Sequence, residues 1–159
     1  MQGLISENLK MVKGISPSAD MYDGDPVSDA VQLGKYEKAM FVIHQKTAGT
    51  NTGTATITLL ASSDASATGA EAIAFKYRKM TNGTSDTESD ITAATTSGFT
   101  TTANEDTAYR IEINSAELPA GKPWVTLKAT EVVNDPVIGD CMIYLSGRNK
   151  AEQLPTAIA

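Results

Sequence analysis

The side chains best suited to chemistry in this chain are few and scattered. His44 is the only histidine and Cys141 the only cysteine, and they stand far apart in the sequence. A tetrahedral zinc site draws its ligands mainly from Cys and His, so these two residues cannot assemble one. Oxygen ligands are more plausible, because Asp20, Asp23 and Asp25 cluster in a stretch punctuated by Gly24 and Pro26. Calcium wants about six to eight oxygens, yet Asp20-Met-Tyr-Asp-Gly-Asp25 has neither the spacing of an EF-hand loop nor its closing Glu. The reading is a solvated acidic loop, with no metal and no cofactor. Asp86, Glu88 and Asp90 alternate in a Thr- and Ser-rich stretch and read the same way.

Nucleophilic catalysis needs a nucleophile, a base within reach and a group that orients the base. Any Ser-His-Asp set would have to run through His44, which sits in Val42-Ile-His-Gln45 and reads as a strand-end residue, hydrogen-bonded or exposed. There is no Gly-x-Ser-x-Gly elbow. The glycines at 49–54 lack a following Lys-Ser/Thr and lead into a strand instead of a helix, so they read as a hairpin loop and not a phosphate cradle. Asn82-Gly-Thr84 matches a glycosylation acceptor but reads as a tight turn. Cys141 stands beside Met142, Ile143 and Leu145 and is expected as a buried small hydrophobe. Trp124, flanked by Pro123 and Val125, is expected to anchor the core or an edge. No catalytic residues are nominated.

The elements that must position these residues are strands. Thr54-Ala-Thr-Ile-Thr-Leu-Leu-Ala61 and Tyr109-Arg-Ile-Glu-Ile-Asn114 alternate apolar and polar side chains, as a half-buried strand requires. Strands are expected at 27–33, 38–45, 54–61, 70–80, 108–114, 124–132 and 140–147, with a weak one at 98–102. Met40-Phe-Val-Ile43 is apolar on both faces and marks the central strand. Between them lie turns rich in Gly, Asn, Asp and Pro, including Asn82-Gly83 and Asn134-Asp-Pro136. Residues 84–106 read as a surface excursion whose large apolar anchors are Ile91 and Phe99.

Short strands at this spacing, without intervening helical periodicity, point to an all-β single domain: an antiparallel β-sandwich of jelly-roll type. The 159 residues suffice for one core and are short for two. Aromatics are 6% of the chain, so the core is expected to rest on Val, Ile, Leu, Met and Ala. Residues 1–26 read as an extended N-terminal arm, 27–148 as the sandwich body and 149–159 as a C-terminal tail. A short helix around 6–12, capped by Ser6, is compatible with the arm. The formal charge of -6 argues against a nucleic-acid or anionic-membrane partner. One cysteine excludes an internal disulfide framework, and neither a signal peptide nor a membrane span is expected.

Several segments together resemble a known group. They are the Gly-Leu-Ile-Ser-Glu-Asn-Leu arm (3–9), Val-Ser-Asp-Ala-Val-Gln-Leu (27–33), and Ala-Thr-Ile-Thr-Leu (55–59) followed by Ala-Glu-Ala-Ile-Ala-Phe-Lys-Tyr (70–77). Tyr-Arg-Ile-Glu-Ile-Asn-Ser-Ala-Glu-Leu (109–118), the Asp140-Cys-Met-Ile-Tyr-Leu-Ser-Gly-Arg148 strand and Gln153-Leu-Pro-Thr-Ala-Ile158 complete the set. The pattern, over nearly the whole chain, resembles small β-rich proteins encoded beside the major capsid protein of tailed bacteriophages.

That resemblance implies a head decoration, or cement, protein. Made in the host cytoplasm, it would sit on the capsid exterior of the virion as a homo-oligomer, a trimer being the form the resemblance favours, and tie major capsid protein subunits together. It implies no enzyme activity and no cofactor. On this hypothesis Leu4, Ile5, Leu9, Met11 and Val12, with Leu154, Pro155 and Ile158, contact the capsid or sister subunits. A tail-tube or head–tail connector protein is the alternative; a small hydrolase or lyase and a carbohydrate-binding module fit less well.

Overall fold

The computed structural model describes residues 4–47, 50–81, 87–103, 105–148 and 158. A one-turn helix, α1 (Ile5–Asn8), leads into β1 (Lys10–Ser18). Then follow β2 (Val31–Gln32), β3 (Tyr36–Thr47), β4 (Thr54–Ser62), β5 (Glu71–Ile73) and β6 (Phe75–Thr81). The chain continues through β7 (Thr92–Ala94), β8 (Phe99–Thr100), β9 (Thr107–Asn114), β10 (Trp124–Val133) and β11 (Val137–Arg148), with a 3-10 turn at Ser115–Glu117.

Two antiparallel sheets face each other. The larger has the order β1-β11-β3-β9-β6-β7; the smaller is β2-β10-β4-β5, with β8 also paired to β4. The expected all-β sandwich is thus the fold, and β3, carrying Met40-Phe-Val-Ile43, is an interior strand between β11 and β9. Alternation works as it should: Ala39, Phe41 and Ile43 of β3, Cys141, Ile143 and Leu145 of β11, and Tyr109, Ile111 and Ile113 of β9 are buried. From the smaller sheet, Ala55, Ile57, Leu59 and Ala61 of β4 and Val125, Leu127 and Ala129 of β10 close the core.

Three expectations need correction. Lys10–Ser18, assigned to an extended arm, is an edge strand of the larger sheet, paired to β11 from Lys10–Leu145 to Ser18–Gly139. Gly14 and Pro17 made it read as irregular, but an edge strand tolerates both. The pairing slips around Gly14, where a Cβ would press against the carbonyl oxygen and Sγ of Cys141. The helix is shorter than expected and lies earlier: Leu4, not Ser6, is its N-cap, and the Glu7 carboxylate accepts the Leu4 N–H at 2.8 Å. The strand expected at 70–80 is two strands: β5 pairs with β4, and after Ala74 the chain crosses to the other sheet, where β6 pairs with β9.

The core is also less purely aliphatic than composition implied. Tyr22, Tyr36, Tyr109 and Phe41 are among its largest fully buried side chains. Phe99 anchors the 99–103 segment by stacking on Tyr77, with centroids 4.0 Å apart, and by tilting against Tyr109. The Asn82-Gly83 turn and the acceptor at 82–84 fall outside the described residues.

Candidate functional site

His44 projects from the outer face of β3 and is exposed. Its Nδ1 lies 3.3 Å from Asp140 Oδ1 on β11. Cys141, the next residue, faces inward; burial first, then the Asp140 charge, pushes its thiol up to about 12. The pair and the thiol therefore lie on opposite sides of one sheet, and no dyad forms between them.

Two aspartates of the 20–25 loop bind backbone. Asp20 Oδ1 accepts the N–H groups of Tyr22 and Val137, each at 3.4 Å, and Asp25 Oδ1 accepts that of Glu131 at 2.8 Å. Glu131 stands beside them with Oε1 enclosed and without a hydrogen-bond partner among the described residues. Burial, reinforced by the charges of Asp20, Asp23 and Asp25, raises its carboxyl above the usual range. Among the described residues no three His, Cys, Asp or Glu side chains converge as a metal site. Nor is any described helix long and apolar enough to cross a membrane.

The outer face of the larger sheet holds the most distinctive surface. One cross-strand row runs Met11, Tyr144, Met40, Glu112, Lys76, and the next runs Lys13, Met142, Val42, Arg110, Arg78. Over β1, β11 and β3 the two rows carry Met11, Tyr144, Met40, Met142 and Val42, with Lys13 at the edge; over β9 and β6 they are charged. Arg78 and Arg110 are direct neighbours, an unfavourable like-charge pair on its own. The 88–89 segment relieves it: Glu88 forms an ion pair with Arg110, and Arg78 Nη1 donates to the Ser89 carbonyl at 3.2 Å. Glu88, read from sequence as a merely solvated acid, is a partner of the sheet. No local motif announces a pair so distant along the chain.

Two adjoining hollows cross this face near the end of β9 and share Lys38, Glu112 and Asn114. One, of about 240 Å³, is bounded by Lys76, Arg78 and Ile91. The other, of about 150 Å³, is bounded by Met40, Tyr144 and Leu9.

The nominated contact residues divide accordingly. Leu4 and Ile5 are 69% and 77% exposed, and Met11 is 59% exposed on the outer face. Leu9 is half-buried and forms part of the wall of the smaller hollow. Val12 must be withdrawn: it points into the core from β1 and is 7% exposed, so it has no surface to offer a partner. Ile158 is exposed, whereas Leu154 and Pro155 lie outside the described residues. Because Lys10 pairs with Leu145, the incoming α1 segment and the outgoing end of β11 stand side by side.

The class that fold and surface define is a single-domain antiparallel β-sandwich whose larger sheet carries methionines on part of its outer face and charges on the rest. Compared with protein-family models, curated proteins and solved structures, the chain matches none of them.

Proposed function

We propose that this chain is a non-enzymatic structural protein of a tailed-bacteriophage virion, a decoration protein that binds the capsid exterior and bridges major capsid subunits. The observation that carries the reading is the exposed apolar side chains of the α1–β1 end: Leu4 and Ile5 of the α1 segment, and Met11 in one cross-strand row with Tyr144 and Met40. A protein displayed in water gains nothing from such a surface unless another surface covers it. The resemblance in sequence pattern supplies the identity of that partner.

Magnitudes shape the mechanism. Fully burying an aliphatic side chain contributes about 1.5–3 kcal/mol. Three such side chains make a weak contact once the entropy of association is subtracted. Cementing therefore calls for several copies acting together, each weak site strengthened by the high effective concentration within an oligomer on a repeating lattice.

The test mixes the purified protein with expanded capsids built from the major capsid protein encoded beside it. Saturable co-sedimentation and a higher temperature of capsid disruption are expected. No binding at micromolar concentrations would overturn the proposal. A chain lacking residues 2–8 should bind about tenfold more weakly or worse; unchanged binding removes the segment from the mechanism.

A further inference from the structure

We propose that the outer face of the six-stranded sheet docks an acidic protein surface with an apolar centre. Its methionine patch and the lysines beside it then extend the contact made by Leu4, Ile5 and Met11. The inference rests on the decoration-protein reading, under which that acidic surface belongs to a major capsid subunit.

An antiparallel sheet with one face on the core normally turns polar side chains outward on the other. Where β1, β11 and β3 cross the two rows described above, five of the six outward positions are apolar instead: Met11, Tyr144, Met40, Met142 and Val42. Val42 is buried, Met40, Met142 and Tyr144 are half-buried, and Met11 is exposed. Leu9, which ends α1, lines one hollow with Met40 and Tyr144, so the patch is continuous with the segment carrying Leu4 and Ile5. Methionine side chains are flexible and polarisable and fit themselves to an irregular apolar partner.

Charge points to the chemistry of that partner. The chain carries a formal charge of -6, yet the strands of this sheet turn six cations outward, Lys13, Lys38, Lys46, Lys76, Arg78 and Arg110. Against them the same strands set two carboxylates, Asp140 and Glu112. Glu88 and Glu117 reach in from flanking segments, but they serve Arg110 and Lys76. Lys13 and Lys38 are exposed and form no ion pair with a described residue. Both adjoin the patch: Lys13 lies beside Met142 in its row, and Lys38 stands two residues from Met40 on β3. Unpaired cations framing an apolar centre complement an acidic rim around an apolar centre. Nucleic acid is held by cations set against its phosphates, and here thioethers hold the middle of the face.

The experiment is co-sedimentation of the full chain with the same expanded capsids, at low and at high salt. Lys13→Glu/Lys38→Glu should weaken binding at least about tenfold and flatten its salt dependence. Met40→Ser/Met142→Ser should weaken it about tenfold at either salt concentration. Lys128→Glu, on the outer face of the smaller sheet opposite Thr58, should bind as the native chain does. Circular dichroism verifies folding, and the exposed lysine pair keeps the test decisive if the methionine pair does not fold. A native chain that fails to bind capsids overturns the decoration reading and this partner together. Native binding with the variants undiminished, or an equal loss with Lys128→Glu, overturns this inference alone. So does lysine-dependent binding of the native chain to duplex DNA or to phosphatidylglycerol vesicles, or self-association that the methionine variant abolishes, because each gives the face a different occupant.

Discussion

Tyr22 carries its hydroxyl into the core and donates it to Gln45 Oε1 at 2.7 Å, while Gln45 Nε2 donates to the Thr102 carbonyl at 2.9 Å. Burial holds the phenol well above its ordinary pKa, so it remains a neutral donor. This relay ties the 19–25 loop and the 101–103 segment to β3. Tyr22→Phe leaves a buried amide oxygen unpaired and should cost about 1–3 kcal/mol, measured by urea unfolding; an unchanged midpoint would mean the relay contributes nothing. Two carboxylates should respond to pH in opposite senses. Thr52 donates to Asp135 Oδ2 from its N–H and its hydroxyl, both at 2.9 Å, which lowers the Asp135 pKa. That stabilisation is present above the unfolded pKa and is lost as pH falls through the lowered folded one. Glu131 is raised, so its favourable contribution is present below its unfolded pKa and lost as pH rises through the folded one. Asp135→Asn should therefore destabilise and Glu131→Gln stabilise at neutral pH, with both differences shrinking in acid. Thermal melts across the acidic range check the signs. At this scale the sequence spoke clearly about Cys141 and His44, whose neighbours set their environments. It was silent on Glu88, whose partner Arg110 is brought close only by the sheet.

The elements most legible in the sequence were those with unbroken alternation, β4 and β9, and the doubly apolar β3. Two kinds of element escaped. Edge strand β1 needs only one pairing side, so it absorbs Gly14 and Pro17 without penalty and loses the signature of a strand. At Ala74 the run from Glu71 to Thr81 keeps its alternation, with Ile73 and Phe75 both buried, while its hydrogen-bonding partner changes from β4 to β9. Side-chain pattern reports which face is buried and not which strand lies alongside. Gly98 makes the small strand β8 possible: its φ is +73°, and a Cβ there would collide with the Ile57 carbonyl. Gly98→Ala combines backbone strain with that clash and should cost more than about 2 kcal/mol in chemical unfolding. A smaller loss would show that β8 can peel away from β4 independently.

For the molecule as a whole, the single thiol is a reporter. Cys141 is buried in β11, where it stands between Ile15 of β1 and Ile43 of β3, and burial pushes its pKa up to about 12. Alkylation at mildly alkaline pH should be far slower than for a free thiol and should accelerate in step with global unfolding as urea is raised; fast labelling in native buffer would reveal local detachment of β1. The candidate contact surface was only half legible at this scale. Leu4, Ile5 and Met11 stand in an apolar N-terminal stretch that the sequence displays, whereas the charged hollow of the outer face exists only once β3, β6, β9 and Ile91 are brought together.

The pairing of β1 with β11 also sets the order in which this protein can come into being. β1, the first of the described strands, pairs with β11, the last of them, and β11 is itself the bridge from β1 to β3. Without residues 137–148, Val12 and Ile15 have no sheet to join, and β3 keeps one hydrogen-bonding edge unpaired. The larger sheet therefore cannot close until residues 137–148 are available. Such long-range pairings close slowly, so β1 and β3 stay uncovered, and open to aggregation, for as long as β11 is missing from its place between them.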